Sequence, residues 1–577
     1  MYNRSILKLV FIACFILSLG KMVSAQIITE EQVTVVAPYS PTLTKAHKIY
    51  SFPLNEENAS TKFKLDYYTN PKLISTTFEL EELKAARYAS PKDPKYKQNI
   101  VKAGMGLYTT PYAELFLNGK LNKNLTLGIH AKHLSSKASV DDFAYSGFSK
   151  NGVDVWTKKT GSKYALWIAG FYQRDAFHYY GFKPNEFNVI DSVFKALHSS
   201  DYDLITAQVF SDAGLGFSIN NISNKTKGFL NLDGSYRYFW DRFNNNENLI
   251  NFNGLYQRPI EFIELENQTV GLELATELAV TTWNEETQPQ KPLPDDVILN
   301  FPKQFFHGKF DLNVFYKIEY DRFDFRAGGI VSVGFHSAIP IKAYPDFLLN
   351  ANVAKNILDV YIQFDGGLMS PTYYSLSRDN PFLATFIPLK YTSRTSRFKS
   401  GLKATILGKA DIHLWGSYEN LLDAVFFTTD TNSVYANQFN LMYDDVDLLQ
   451  IGGDVSIAIG DASIDLQMIY QKYTMTEEEQ AWYKPKWSGQ LKANYWLWDN
   501  LKLSLALKSQ SKVWAKVGDE LHEIDSWLDL GASANYHLNK ELSAFVSLNN
   551  LLSQNYQMWY NYPVKGLGAM LGVSYAF

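Results

Sequence analysis

The 577-residue chain carries 55 Lys and Arg against 59 Asp and Glu, a formal net charge of −4, which gives no electrostatic footprint for nucleic acid. Its single cysteine, Cys14, lies within the first 25 residues, so the remainder is denied disulfides, a thiolate nucleophile and Cys-ligated metals. Aromatic residues make up 15% of the chain, yet mean hydropathy is only −0.20. Beyond residue 25 no run of about 18 apolar residues occurs, which excludes transmembrane helices. A membrane β-barrel has this profile, because it hides its apolarity in alternation and concentrates aromatics in girdles.

Met1 to Ala25 reads as a secretory signal peptide. Arg4 and Lys8 precede the apolar run Leu9 to Leu19, and Val23-Ser24-Ala25 supplies a small-residue cleavage site before Gln26. Phe11-Ile-Ala-Cys14 is a faint lipoprotein-like match, but cleavage there would leave too short an apolar stretch in front. Cys14 therefore reads as a packing residue of the signal. Without Arg4, Lys8 and Lys21 the 55 basic residues fall to 52 against 59 acidic ones, a formal charge of −7. Residues 26–98 hold Pro38, Pro41, Pro53, Pro71, Pro91 and Pro94, no glycine and no long periodic run. They read as a short, mostly extended N-terminal segment, periplasmic or lumenal.

From residue 99 to 577 a period of two recurs. Leu125, Leu127, Ile129 and Ala131 alternate with Thr126, Gly128, His130 and Lys132. Phe310, Leu312, Val314, Tyr316, Ile318 and Tyr320 alternate with Lys309, Asp311, Asn313, Phe315, Lys317 and Glu319. Leu501, Leu503, Leu505 and Leu507 alternate with Lys502, Ser504, Ala506 and Lys508. One face suits hydrocarbon and the other water. A soluble sandwich alternates as well, so the connections decide. Ten tight polar turns, from Asn122-Lys123-Asn124 to Asn539-Lys540, alternate with eleven mostly longer ones. Among the latter are Thr109 to Pro111, Phe177 to Asp201, Asp241 to Leu249, Thr282 to Gln304, Tyr374 to Tyr391, Val517 to Leu521 and Ser553 to Lys565. Membrane barrels keep short turns at one face and long loops at the other. The fold expected is all-β: a transmembrane antiparallel β-barrel of about 22 strands, with both ends on the short-turn side. Alternation is poorest in Asn245 to Ile263.

The last twelve residues close the pattern. Leu567, Ala569, Leu571, Val573, Tyr575 and Phe577 share one strand face, and Gly566, Gly568, Met570, Gly572, Ser574 and Ala576 share the other.

Candidate functional residues follow from the polar faces. Charges of both signs should face the lumen: Asp233, Arg237, Asp311, Lys317, Glu319, Asp324, Arg326, Asp359, Asp365, Arg397, Lys399 and Lys403. They would bind a plug or select solutes, or simply pair along a wetted wall. His130, His133, His413 and His537 lack metal-ligand spacing. No Gly-rich phosphate loop and no Gly-x-Ser-x-Gly elbow is present, so no catalytic residue, metal or cofactor is assigned and an enzyme is not expected. The aromatic loops His178-Tyr-Tyr-Gly-Phe182 and Met558-Trp-Tyr-Asn-Tyr562 would either grip a ligand or surface protein, or pack on each other over the mouth.

A barrel of this size resembles the TonB-dependent receptors of the outer membrane, of Bacteroidetes type. Leu548-Asn-Asn-Leu-Leu-Ser-Gln-Asn-Tyr556 and Tyr562-Pro563, ending in Ser574-Tyr-Ala-Phe577, are similar to the last hairpin of those receptors. Glu30-Glu-Gln-Val-Thr-Val-Val-Ala37 is similar to the segment that engages TonB, which places that contact at Gln32, Val33, Thr34, Val35 and Val36. Tyr575 and Phe577 resemble the signal read by the barrel-assembly machinery. The resemblance implies solute transport in the outer membrane, with its lipid, the assembly machinery, TonB and a surface lipoprotein as partners. It departs from the family in having 73 residues, 26–98, where the family carries a globular plug of well over a hundred. A scaffold subunit of an envelope complex, or an open porin, are the alternatives. Replacing Tyr575 and Phe577 together by Ser should block assembly, seen as loss of heat-modifiable barrel from the outer membrane; normal amounts would refute the signal.

Overall fold

The computed structural model describes residues 99–577 apart from 138, 187–205, 223–227, 264–266, 285–302, 336–339 and 434. The expected signal peptide, the segment 26–98 with Gln32 to Val36, and parts of the connections at 177–201, 221–225, 264–267, 282–304 and 336–345 lie outside the described residues.

Twenty-two strands form the wall. The first are β1 (Ile100–Gly106), β2 (Thr110–Asn122), β3 (Leu125–Ser136), β4 (Phe148–Thr160), β5 (Tyr164–His178) and β6 (Ala207–Asn221). Next come β7 (Phe229–Asp241), β8 (Asn246–Ile260), β9 (Gln268–Thr282), β10 (Gln304–Tyr320), β11 (Phe323–Gly334) and β12 (Ile341–Ala354). They are followed by β13 (Leu358–Met369), β14 (Thr392–Ile406), β15 (Ala410–Thr429), β16 (Phe439–Ile459) and β17 (Ala462–Met475). The last are β18 (Trp487–Trp498), β19 (Leu501–Gln510), β20 (Trp527–His537), β21 (Leu542–Asn549) and β22 (Gly568–Ala576). Each wall strand pairs antiparallel with the next, and β22 pairs back onto β1 from Ile100↔Ala576 to Gly106↔Met570. That last ladder leaves the wall no free edge, the condition for satisfying every backbone group in lipid.

Burial follows the expected faces. On β22, Leu571, Val573 and Tyr575 are exposed, Leu571 to 64%, whereas Gly572 between them is buried. Leu503 and Leu505 of β19 are likewise exposed. Exposed aromatics gather at two levels. Tyr164, Phe229, Tyr320, Tyr495, Trp498 and Tyr536 stand near the short turns, and Tyr172, Tyr238, Phe306, Tyr470 and Trp487 near the loops. Tyr164 and Tyr172 are eight residues apart, about 26 Å of strand. At a tilt near 40° this spans roughly 20 Å of depth, the scale of a barrel's apolar band.

The opposite face tucks its aromatics flat. A Cβ on Gly271 would lie 2.0 Å from the Phe315 ring, and one on Gly452 2.3 Å from Trp415. Only glycine lets these rings lie against the neighbouring strand.

Two expectations need correction. The connection expected at Thr109 to Pro111 lies at residues 107–109, and the one expected over Asp241 to Leu249 is a shorter turn, 242–245, between β7 and β8. The alternation around 245–263 is blurred because β8 puts Asn248 and Gly254 on the row of exposed Ile250 and Tyr256, and Leu249 and Leu255 on the other. Val517 to Leu521 is the tip of a hairpin, Val513–Val517 with Glu520–Ile524, that rises between β19 and β20.

Leu505→Arg should damage folding far more than Lys502→Leu, because Leu505 lies midway between the levels of Trp498 and Trp487, and Arg on the lipid face near the midplane costs roughly 2–4 kcal/mol while the other face tolerates change. Folding yields into vesicles measure the difference; equal yields would mean the faces are reversed.

Candidate functional site: the capped mouth

The connection from β13 to β14 is the longest fully described one, and it builds a cap. Its seven-residue helix, α1 (Tyr373–Asp379), begins at Thr372, whose side chain accepts from Ser375 N–H while Ser375 Oγ accepts from Thr372 N–H. This reciprocal pairing satisfies two donors that a helix start leaves open. The helix stops at Asn380, which is extended because the following residue, Pro381, disfavours helical backbone before it.

The cap does not settle on its own strands. Glu247 of β8 accepts from the N–H groups of Tyr373 (3.0 Å) and Tyr374 (2.8 Å), placing a carboxylate at the positive end of the helix. Tyr373 Oη donates to Asp241 at 3.0 Å. Arg378 reaches Asp175 of β5 and Asp212 of β6 at 2.5 and 2.6 Å. Arg237 of β7 meets the other oxygen of Asp212 and lies between the Phe171 and Tyr374 rings, 4.2 and 4.3 Å from their centres. Asp212 and Glu247 are fully buried; buried carboxylates require such partners.

Around this latch lies the main hydrophobic core. Tyr373, Leu376, Leu383 and Ile387 of the cap pack with Phe210, Phe239, Trp283, Phe426, Phe439 and Trp482. The two aromatic loops join the same cluster. Tyr180 meets Tyr562 edge-on at 4.9 Å, and Phe382 of the cap stacks on Tyr562 at 3.6 Å. Tyr180 Oη donates to the Pro563 carbonyl, and Tyr562 Oη to that of Asn437. Of the two roles open to these loops, mutual packing over the mouth is the one realised.

Burial also shifts loop groups. It pushes Asp379 up and Lys484 down, each opposed by the other's charge. It pushes Lys565, which donates to Ser136 Oγ at 2.9 Å, down to about 8.

The charges read from sequence mostly have polar partners, some across strands and some two residues along their own strand. Arg326 is held by Glu273 and Asp346 and lies 3.7 Å from the centre of Phe315. Asp365 takes Arg397 in two contacts, at 2.9 and 2.5 Å. Asp311 pairs with Lys309 at 2.8 Å, and Lys317 with Glu319. Asp233 accepts from Asn231, and Asp359 from Asn352. Lys399 and Lys403 lie over the rings of Trp415 and Tyr361. Asp324 shares the face of Arg326 two residues away. Of the histidines, His130 sits between Glu114 and Asp154, and His413 between Tyr361 and Asp454. The latch residues Asp175, Asp212, Asp241, Glu247 and Arg378 had no local signature; the available hint was the bracket Pro371-Thr372 and Asn380-Pro381 around a short helical stretch.

A closed 22-strand barrel, apolar outside and polar within, is an outer-membrane β-barrel. Its solved structural neighbours agree. The siderophore receptor PirA from Acinetobacter baumannii aligns with a TM-score of 0.64 at 11% identity, over 83% of this chain and 80% of that one. The ferric-catecholate import receptor Fiu from K12 E. coli aligns at 0.60 and 11%, over 84% and 82%. The FrpB iron transporter from Neisseria meningitidis aligns at 0.60 and 10%, over 84% and 82%. The likeness is one of fold. No protein-family model matches the chain, and no curated protein does.

Arg378→Gln should loosen the cap without unfolding the wall. Asp212 keeps Arg237, so losing the charged hydrogen bonds of Arg378 costs about 2 kcal/mol, and exchange of the Tyr373 and Tyr374 amides should quicken roughly thirtyfold while the β10–β11 ladder is unchanged. Hydrogen exchange read by mass spectrometry checks both; unaltered cap exchange would show that the latch does not hold it.

Proposed function

We propose that this barrel carries a solute across the outer membrane, and that the 370–391 connection is its outer gate. The observation that supports this most is the position of the core: its largest buried side chains come from the loops and from the loop ends of the wall strands, where they fill the mouth. A wall of 22 strands encloses a lumen too wide for its own side chains to seal, and a wetted interior suits the charged side chains of Asp311, Lys317, Glu319, Asp324, Arg326, Asp359, Asp365, Arg397, Lys399 and Lys403. The structural neighbours are named as a siderophore receptor and an iron transporter, which supports uptake of a solute too bulky for general porins. Engagement of TonB through Gln32 to Val36, and a surface lipoprotein at the mouth, complete the reading.

Planar bilayers test it. The full-length protein should conduct little. Replacing Pro371 to Lys390 by a short Gly-Ser link and removing residues 26–98 should together raise conductance at least tenfold, and the second deletion alone should abolish energised uptake while sparing assembly. A full-length protein that conducts as a wide pore would mean an open porin. No conductance from the doubly deleted protein would mean a scaffold.

A further inference from the structure

Beneath the cap, one part of the wall holds donors without acceptors. β14 turns Arg394, Arg397, Lys399 and Lys403 to its polar face, and the first two are matched. Arg397 binds Asp365, and Arg394 Nη1 lies 3.7 Å from Glu419. The other two are not matched: among the described residues no carboxylate makes an ion pair with Lys399 or Lys403. Their ammonium groups rest over aromatic rings instead, Lys399 Nζ 4.5 Å from the centre of Trp415 and Lys403 Nζ 5.7 Å from that of Tyr361.

Strand register explains why. Lys399 is flanked by Gln363 and Ser417, and Ser417 by Gln450, so its row carries no acid. Gln450 is buried and accepts from Ser417 Oγ at 3.3 Å, but its Nε2 has no partner among the described residues. Lys403 does have carboxylates in its row, Asp359 and Asp454. Both are engaged elsewhere: Asp359 accepts from Asn352 at 2.7 Å, and Asp454 lies 3.2 Å from His413 Nδ1. Between the two rows lie Gly401 and Gly452. With Trp415 flat on Gly452, this forms a shelf flanked by the two ammonium groups.

Two unpaired ammonium groups, an orphaned amide donor and an aromatic shelf select a ligand rich in acceptor oxygens. We propose that Lys399, Lys403 and Gln450 form an oxyanion-binding station on the lumen wall, for a solute bearing carboxylate or phosphate groups. The two lysines are four residues apart, about 13 Å along the strand, so a solute with several oxyanions engages both. This names the solute class for the transport reading and rests on it.

Equilibrium dialysis of the detergent-solubilised full-length protein tests the station, with inorganic tripolyphosphate and citrate as probes. At least one should bind, and Lys399→Gln with Lys403→Gln should weaken it at least tenfold. Gln450→Leu should weaken it less. Lys502→Gln with Lys508→Gln, on the polar face of β19, should change it less than twofold. Binding of tripolyphosphate alone selects phosphate, and of citrate alone carboxylate. Heat-modifiable mobility confirms that each variant is folded. No binding of either probe, or equal losses in the two lysine pairs, overturns the station. A conducting doubly deleted barrel that binds neither anion would sink the station and leave transport standing; anion binding without conductance in that variant would do the reverse.

Discussion

The constraint on which this molecule depends is that a backbone in lipid finds no water to bond. The wall meets it by closing β22 on β1, and other features follow. Closure fixes which face of every strand points out, and hence which residues must be apolar. It also empties the middle: a ring of this size cannot pack its inner face as a small barrel does. The hydrophobic core must then be assembled at the mouth, from connections, where Trp482, Tyr179 and Tyr373 are fully buried, and from strand ends beside them, where Phe439 is.

The cap combines two kinds of interaction that fail in different ways. Its aromatic contacts, such as Phe382 on Tyr562, are non-directional and tolerate small displacements. Its polar contacts are directional: the two amides on Glu247, and Arg378 on Asp175 and Asp212, act at fixed geometry. The first kind fills the mouth, and the second sets where the cap sits. Since the carboxylates belong to the wall and the donors to the cap, water can solvate both sets when they part, a property of a reversible contact and not of a permanent core.

The wall was legible because its signal is local and repeated. Leu503 beside Lys502, or Val573 beside Ser574, states its own orientation, and the turn at Asp499-Asn500 states where the strand reverses. Legibility failed where one strand mixed its faces, as β8 does with Asn248 and Leu249. The cap was hidden for a different reason: Arg378 meets Asp175 across 203 positions of sequence, and nothing near either residue marks the pair. The pairing of Asp365 with Arg397, on adjacent strands, was legible as charge but not as partnership, since register depends on the bulges between Asp365 and Gly367 and between Arg394 and Ser396. The aromatic loops showed their composition, but their mutual packing needed Phe382 from a third segment.

The cap is rooted between β13 and β14 and fastened to β5, β6, β7 and β8, five to eight strands from β13 around a ring of 22. It is therefore a chord across the rim as well as a lid. A hoop held by a chord resists being squeezed into an ellipse along that direction, so lateral pressure from the bilayer is borne partly by Arg378 and Glu247. The roundness of the rim and the closure of the passage are then one mechanical variable. A change in membrane tension or thickness that flattens the hoop acts on the same bonds that hold the cap.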